Sequence, residues 1–177
     1  MVDKGWLSVS VPYVTPGGSD SWKAEAATAG GVGSQRLVEV AEVVAPAEVA
    51  AALDIEPGGT VVLRRRLMLL DDRPVELTDS YYPLAIARGT ALAEPRKIRG
   101  GAVTLLAELG YRPCHTVEDV YAREPTDAER KALALDDHRW VLGLTRLLTS
   151  GGGLPVELSV MTMVAEGRRL RYEMSID

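Results

Sequence analysis

Arginine and glutamate recur at matched places in two stretches of this chain, and together they are the residue types best suited to grip a small molecule. Arg66 sits in the apolar run Thr60 to Leu70, and Arg146 in the run Trp140 to Thr149. Each run is followed by a turn and a near-identical segment, Pro74-Val75-Glu76-Leu77-Thr78 and Pro155-Val156-Glu157-Leu158-Ser159. A guanidinium fork suits anionic oxygens, and a carboxylate accepts from hydroxyl or amide donors. Strand alternation places Glu76, Thr78, Ser80 and Tyr82 on one face, and Glu157, Ser159, Met161 and Met163 on the equivalent face of the second segment. If those faces look inward, each buried carboxylate needs a partner, and Arg66 and Arg146 are the expected ones. The same alternation splits Arg64, Arg65 and Arg66 between two faces, so they do not form one basic patch.

Other chemistries are poorly supplied. One cysteine, Cys114, cannot form an internal disulfide, and with two histidines it gives little from which to build a metal site. Neighbours on a strand point to opposite faces, so Cys114 and His115 could not act as a thiol–imidazole pair, and Cys114 is expected half-buried. Gly151-Gly152-Gly153 has no helix after it and is a turn, not a phosphate-cradling loop. No cofactor is expected. The net charge of −5 argues against direct contact with DNA, whose phosphates require a basic face. No apolar run has membrane-spanning length and no leader pattern is visible at the start, so the expectation is a cytoplasmic chain without a membrane partner.

The elements that must position these residues follow from pattern. Residues 1–35 read as an N-terminal arm or lid: a short strand-like alternation at Trp6 to Val11, then a Gly-, Ser- and Ala-rich loop from Thr15 to Ser34 with Trp22 as its only large anchor. Residues 36–177 read as one domain. Arg36 to Val44 alternates as a strand, and Pro46 to Leu53 forms a short helix with proline at its first position. Thr60 to Leu70 and Pro74 to Tyr82 form a hairpin around Asp71-Asp72-Arg73. A helical turn follows at Pro83 to Gly89, and then a helix from Ala102 to Leu109, which Gly110 ends. Thr116 to Arg123 is a strand, Thr126 and Glu129 make a capping box, and that helix runs to about Leu135. A second hairpin joins Trp140 to Thr149 with Leu154 to Val164, and a last strand runs from Arg169 to Ile176.

Helix, Arg-Leu strand, turn and Pro-Val-Glu-Leu return strand thus occur twice. Matched residues lie about 80 apart before the turn (Arg66, Arg146) and one more after it (Glu76, Glu157). Two helix-plus-hairpin units related by a pseudo-twofold axis would join in one mostly antiparallel sheet, with a ligand cleft between related halves.

The segments "AALDIEPGG", "VVLRRRLMLLDDRPVELTDSYYP", "VTLLAELGY", "EDVYAREPTDAERKALAL", "WVLGLTRLL" and "GLPVELSVMTM" together resemble the UTRA domain, the effector-sensing part of GntR-type transcription regulators of the HutC branch. The resemblance covers Arg36 to Ile176. It implies an α+β fold like that of chorismate lyase: a central, mostly antiparallel β-sheet with packed helices and a buried pocket. It also implies a homodimer, a small-molecule effector, and allosteric control of DNA binding through a winged-helix domain that is not seen before Trp6 here. Relatives that sense sugar phosphates hold the phosphate with arginines of the first long strand. Arg66 falls at one such position, with Arg64 beside it and Met68 where the next would be. Acidic residues of the two return strands hold sugar hydroxyls in those relatives. Glu157 matches the second, while Glu76 or Thr78 stands near the first and Tyr82 ends the same strand. A hydroxyl residue common before the central helix is here Gly101 or Ala102, and a polar aromatic common near the end of the last hairpin is Met163.

Small or apolar residues at several of these positions, with Ser159, Met161 and Met163 on the opposite wall, point to a more hydrophobic or aromatic effector with one acidic or hydroxyl group. Two alternatives stay open on sequence alone. One is a stand-alone lyase-like enzyme acting on a small acidic metabolite, with Arg66 as carboxylate clamp and Glu157 as general acid. The other is a dimerisation module whose pocket has filled in.

Overall fold

A computed structural model describes residues 6–18 and 20–176. In chain order its elements are β1 (Trp6–Val9), α1 (Val11–Val14), α2 (Ser21–Thr28), β2 (Gly33–Val44), α3 (Ala47–Ala52), β3 (Thr60–Leu70), β4 (Arg73–Pro83) and α4 (Leu84–Ala87). A 3-10 turn (Ala91–Ala93) leads to α5 (Ala102–Glu108), β5 (Pro113–Arg123), α6 (Asp127–Ala132), β6 (Val141–Ser150), β7 (Pro155–Val164) and β8 (Arg168–Arg171).

Six strands form one sheet in the order β2-β3-β4-β7-β6-β5, with every neighbouring pair antiparallel. The order reads the same from either end under the sequence repeat: β2, β3 and β4 correspond to β5, β6 and β7. Register makes the symmetry explicit. Thr78 pairs with Met161 and Ser80 with Ser159. The repeat turns Thr78 into Ser159 and Ser80 into Met161, so it exchanges these two pairs. The pseudo-twofold axis therefore passes through the pair Asp79 and Val160.

The repeated helices cross over. α3 rests on β7 of the other half and α6 on β4, both on the sheet face away from the repeated glutamates. Val49, Ala50 and Leu53 bury themselves against Leu63, Tyr81 and Leu158, while Leu133 meets Leu67 and Val141. Each fully buried aliphatic side chain there contributes roughly 1.5–3 kcal/mol of transfer free energy. Arg65 points to the same face, where it grips Asp79 through Nε and Nη2 (2.8 and 2.6 Å) and reaches Glu39.

Both helices end alike. Leu53 and Leu133 cap them, the next residue turns left-handed (Asp54 at φ 53°, Ala134 at φ 50°), and Ile55 and Leu135 donate back to the carbonyls of Ala50 and Arg130. A Cβ is strained in that conformation, and glycine is the favoured residue. Ala134→Gly is expected to stabilise the protein by about 0.5–1 kcal/mol, read as a melting temperature raised by roughly 1–4 °C. An unchanged or lower melting temperature would mean that the turn carries no strain. The capping box at α6 is present, with Glu129 accepting from Thr126 N–H and Arg123. The Arg123 guanidinium holds the Glu129 carboxyl down at about 2.

The fold departs from the sequence pattern in five places, the first being that the strand expected over Trp6 to Val11 ends at Val9 because α1 begins at Val11. The expected loop from Thr15 to Ser34 contains α2, because Asp20 accepts from Lys23 N–H at its start and Trp22 and Ala26, one turn apart, are buried on one face. Trp22 Nε1–H is shared by the carbonyls of Ser34 (2.9 Å) and Leu69 (3.1 Å). Gly33 lies directly under it, where a Cβ would press on Trp22 and Ala26. The last strand stops at Arg171. Pro46 is the N-cap of α3, one place before the expected position. Cys114 is exposed, not half-buried, because the β5–β6 register shifts between Pro113 and His115 at the sheet's edge.

Candidate functional site

The sheet face that carries the repeated glutamates is roofed by the arm and α5. Three adjoining cavities lie beneath, of about 460, 120 and 90 Å³. Arg66 borders all three and Met68 the first two, while Gly101 edges the first and third. Space unfilled by side chains remains beneath that roof.

β3 supplies Arg64, Arg66 and Met68 to this face because alternate residues of a strand share one side. β4 supplies Glu76, Thr78, Ser80 and Tyr82, and β7 supplies Glu157, Ser159, Met161 and Met163. Arg66, Met68, Glu76, Thr78, Glu157, Ser159, Met161 and Met163 all border the second cavity. Tyr82 and Arg64 instead border the third. Burial, reinforced by the neighbouring Glu157 carboxylate, pushes the Tyr82 hydroxyl far above its usual range. Arg64 is committed elsewhere: its guanidinium donates to the carbonyls of Ala91, Leu92, Glu94 and Arg96 at 2.7–3.2 Å, pinning the segment that leads into α5.

The expected ion pairs are not those formed. Arg66 gives Nη2–H to Ser80 Oγ (3.1 Å) and its buried Nε–H has no protein partner among the described residues. Glu76 accepts from Arg168 Nη1 (2.5 Å) and Thr78 Oγ1 (2.8 Å). Glu157 accepts from Ser159 Oγ at 2.6 Å, leaving Oε2 buried and without a partner among the described residues. Arg146 pairs with Glu118 of β5 (2.5 Å). Burial alone would raise the Glu118 carboxyl, but Arg146 and the donors Ser10 and Tyr172 outweigh it and hold the carboxyl low. The two repeat-related arginines differ because Arg146 faces Glu118 across the strand pair, whereas Arg66 faces Leu37. Among the described residues Arg146 has a carboxylate partner and Arg66 has none.

Several site residues were not singled out by pattern. Arg168 is one. Its signal was the alternation of Arg168 and Leu170 inward with Arg169 and Arg171 outward. The arm brings Trp6, Tyr13 and Glu25. Ser8 Oγ and the Tyr13 hydroxyl both donate to Glu25 (2.6 and 2.8 Å), and Ser10 Oγ donates to Glu118 (2.8 Å). Burial and the Glu25 carboxylate push the Tyr13 hydroxyl far up, so it remains a donor. Asp20 of the arm meets Lys97 at 3.0 Å on the far rim.

The arrangement offers hydrogen-bond donors, the Glu157 Oε2 without a partner among the described residues, and methionine walls, which is the equipment for holding a molecule. The sequence profile of the UTRA domain matches residues 28–167. The chain belongs to the UTRA domain family. A curated relative, an uncharacterized HTH-type transcriptional regulator of Streptomyces coelicolor, is 33% identical over 130 residues, covering 72% of this chain and 48% of that one. This UTRA domain thus spans about half the length of the curated relative it matches.

Among solved structures it resembles one described as a GntR-family transcriptional regulator, with a TM-score of 0.83 and 23% identity over 97% of this chain and 70% of that one. It also resembles PhnF from Mycobacterium smegmatis (TM-score 0.76, 19% identity, 92% and 72% covered). A third likeness is to the ligand-binding domain of a GntR-family regulator from Bordetella bronchiseptica (0.72, 24%, 81% and 89%). At these identities the structural likeness shows the shared α+β fold. No helix of this UTRA domain's described residues is long and apolar enough to cross a membrane.

Proposed function

We propose that this UTRA domain binds a small-molecule effector between its sheet and its N-terminal arm, and that the bound state is relayed to a DNA-binding domain beyond the described residues. One observation carries the reading: a roofed cavity bordered by buried polar atoms of Arg66 and Glu157 that have no partner among the described residues. Buried polar groups without partners are costly in a closed protein, and a ligand that satisfies them gains affinity. The named relatives are transcriptional regulators, which favours a regulatory over an enzymatic role and this chain's placement in the cytoplasm with the DNA. Residues 6–35 act as the lid and 36–176 as the effector-binding unit. Met161, Met163 and Leu144 wall the second cavity, which favours a ligand with an apolar or aromatic body. A homodimer of the HutC type fits the edge strand β5, where Val117, Val120 and Tyr121 are exposed.

A thermal-shift screen against aromatic acids, sugar phosphates and lipophilic metabolites, with mass spectrometry of each hit after incubation, tests the reading. A stabilising compound recovered unchanged supports it; a compound recovered as product makes the domain an enzyme. Against any such hit, Arg66→Ala is expected to weaken binding by roughly ten- to hundredfold while preserving the fold. Glu157→Gln should weaken hydroxylated hits more than purely apolar ones. Unchanged affinity in Arg66→Ala removes Arg66 from the site.

A further inference from the structure

Arg168 opens β8, just after the turn in which its own N–H donates to the Ala165 carbonyl. Its side chain is 1% exposed. Nη1 is taken by Glu76, and the guanidinium lies 4.6 Å from the centre of the Trp6 ring. Nε–H and Nη2–H are both buried and have no partner among the described residues. These two groups form one edge of the guanidinium, with parallel donors spaced for the two oxygens of a carboxylate. Arg65 uses that same edge to hold Asp79 on the other side of the sheet. Arg66 shares the corresponding edge with the protein, since its Nη2 also serves Ser80.

The surroundings discriminate between anions. Arg66, Arg146 and Arg168 border the second cavity, and so do Glu25, Glu76 and Glu157. With three cations set against three carboxylates, a monoanion on one guanidinium edge is tolerated better than a phosphate dianion. The buried Trp6 Nε1–H likewise has no partner among the described residues, and β1 pairs in parallel with β8 so that Trp6 and Arg168 are register partners. The arm's first strand is therefore fastened beside this donor edge.

We propose that Arg168 is the anchor for a carboxylate group of the effector, and that Trp6, stacked on the same guanidinium, couples capture of that group to closure of the arm. The proposal rests on the effector-binding reading and names the acid-binding subsite within it. It moves the main anionic contact from the first long strand to β8.

The test uses 3-phenylpropionate and its neutral counterpart 3-phenylpropionamide, titrated into the full chain while the arginine Nε–H signals are followed by NMR. The expected result is a saturable movement of the Arg168 signal with the acid and none with the amide. Arg168→Met combined with Glu76→Gln removes both charges, so neither is left buried alone. That variant should bind the acid at least about tenfold more weakly, at the level of the amide, with its dispersed spectrum intact. Arg168→Lys keeps a cation for Glu76 but loses the fork, and should show a similar loss.

Acid that binds with the Arg168 signal unmoved, acid affinity that survives both variants, or equal binding of acid and amide would each overturn the anchor. If the Arg66 signal still moves in those cases, the pocket stands. If neither compound moves either signal, the carboxylate site is wrong. If the wider metabolite screen is also blank, the effector-binding reading falls with it.

Discussion

Replacing Arg64 by methionine is expected to destabilise the domain by roughly 3 kcal/mol or more, the scale set by leaving buried polar groups without partners. Arg64 is a cation 4% exposed, and no described carboxylate pairs with it. Its charge is spread over the carbonyls of Ala91, Leu92, Glu94 and Arg96 instead. Methionine fills much of the volume but donates nothing, so those carbonyls lose their donors and the segment from Arg88 to Gly101 must find water. Because that segment carries Lys97, Ile98 and Gly101 of the first and third cavities, ligand binding should fail together with stability. Denaturant unfolding gives the first readout, and proteolytic cleavage between residues 88 and 101 the second. Lysine should not rescue, since one ammonium cannot reproduce a planar array of donors. A loss below about 1 kcal/mol would show that the carbonyls rehydrate freely and that Arg64 is not their clasp.

Trp22→Ala should act on the arm alone. Truncating a buried tryptophan typically costs 3–5 kcal/mol, and here the indole also supplies the N–H shared by the Ser34 and Leu69 carbonyls. Its neighbours Ala26, Met68 and Val75 form a small cluster apart from the two main ones. The cost therefore falls on local opening of residues 6–32, not on the sheet. Hydrogen exchange is expected to accelerate by at least a hundredfold in α2 and β1, with β3, β4, β6 and β7 still protected. Exchange that rises equally across the sheet would show that arm and sheet unfold as one unit. Exchange unchanged in α2 would show that Trp22 does not hold the arm.

The strands and their pairing were largely legible in the sequence because two hairpins declare themselves through alternation, turn residues and repetition. β3 and β4 needed only the alternation on either side of Asp71-Asp72-Arg73, although the register shift between Met68 and Leu69 that turns Val75 towards Trp22 left no mark in it. The helix α2 was hidden because Ala, Gly and Ser give no periodic signal, and its stability rests on one indole. Clustering of the site was legible too, since Arg66, Met68, Glu157 and Met161 follow from strand phase once both hairpins share a sheet. What phase cannot reveal is who pairs with whom. Arg64 answers to backbone carbonyls about thirty residues away, which leave no trace in side-chain identity. Glu76 answers to Arg168, ninety-two residues on, because the chain folds β8 back over that end of β4.

The unequal edge partners of Arg66 and Arg146 bear on how such a sensor can change its taste. Two halves descended from a common unit would begin with two equivalent arginines, each capable of greeting a guest. An acidic codon at position 118 silences one of them internally, and an aliphatic codon at position 37 leaves the other available. Recognition can then migrate from one half to the other by a pair of point changes on the outermost strands, far from the hairpins that hold the frame.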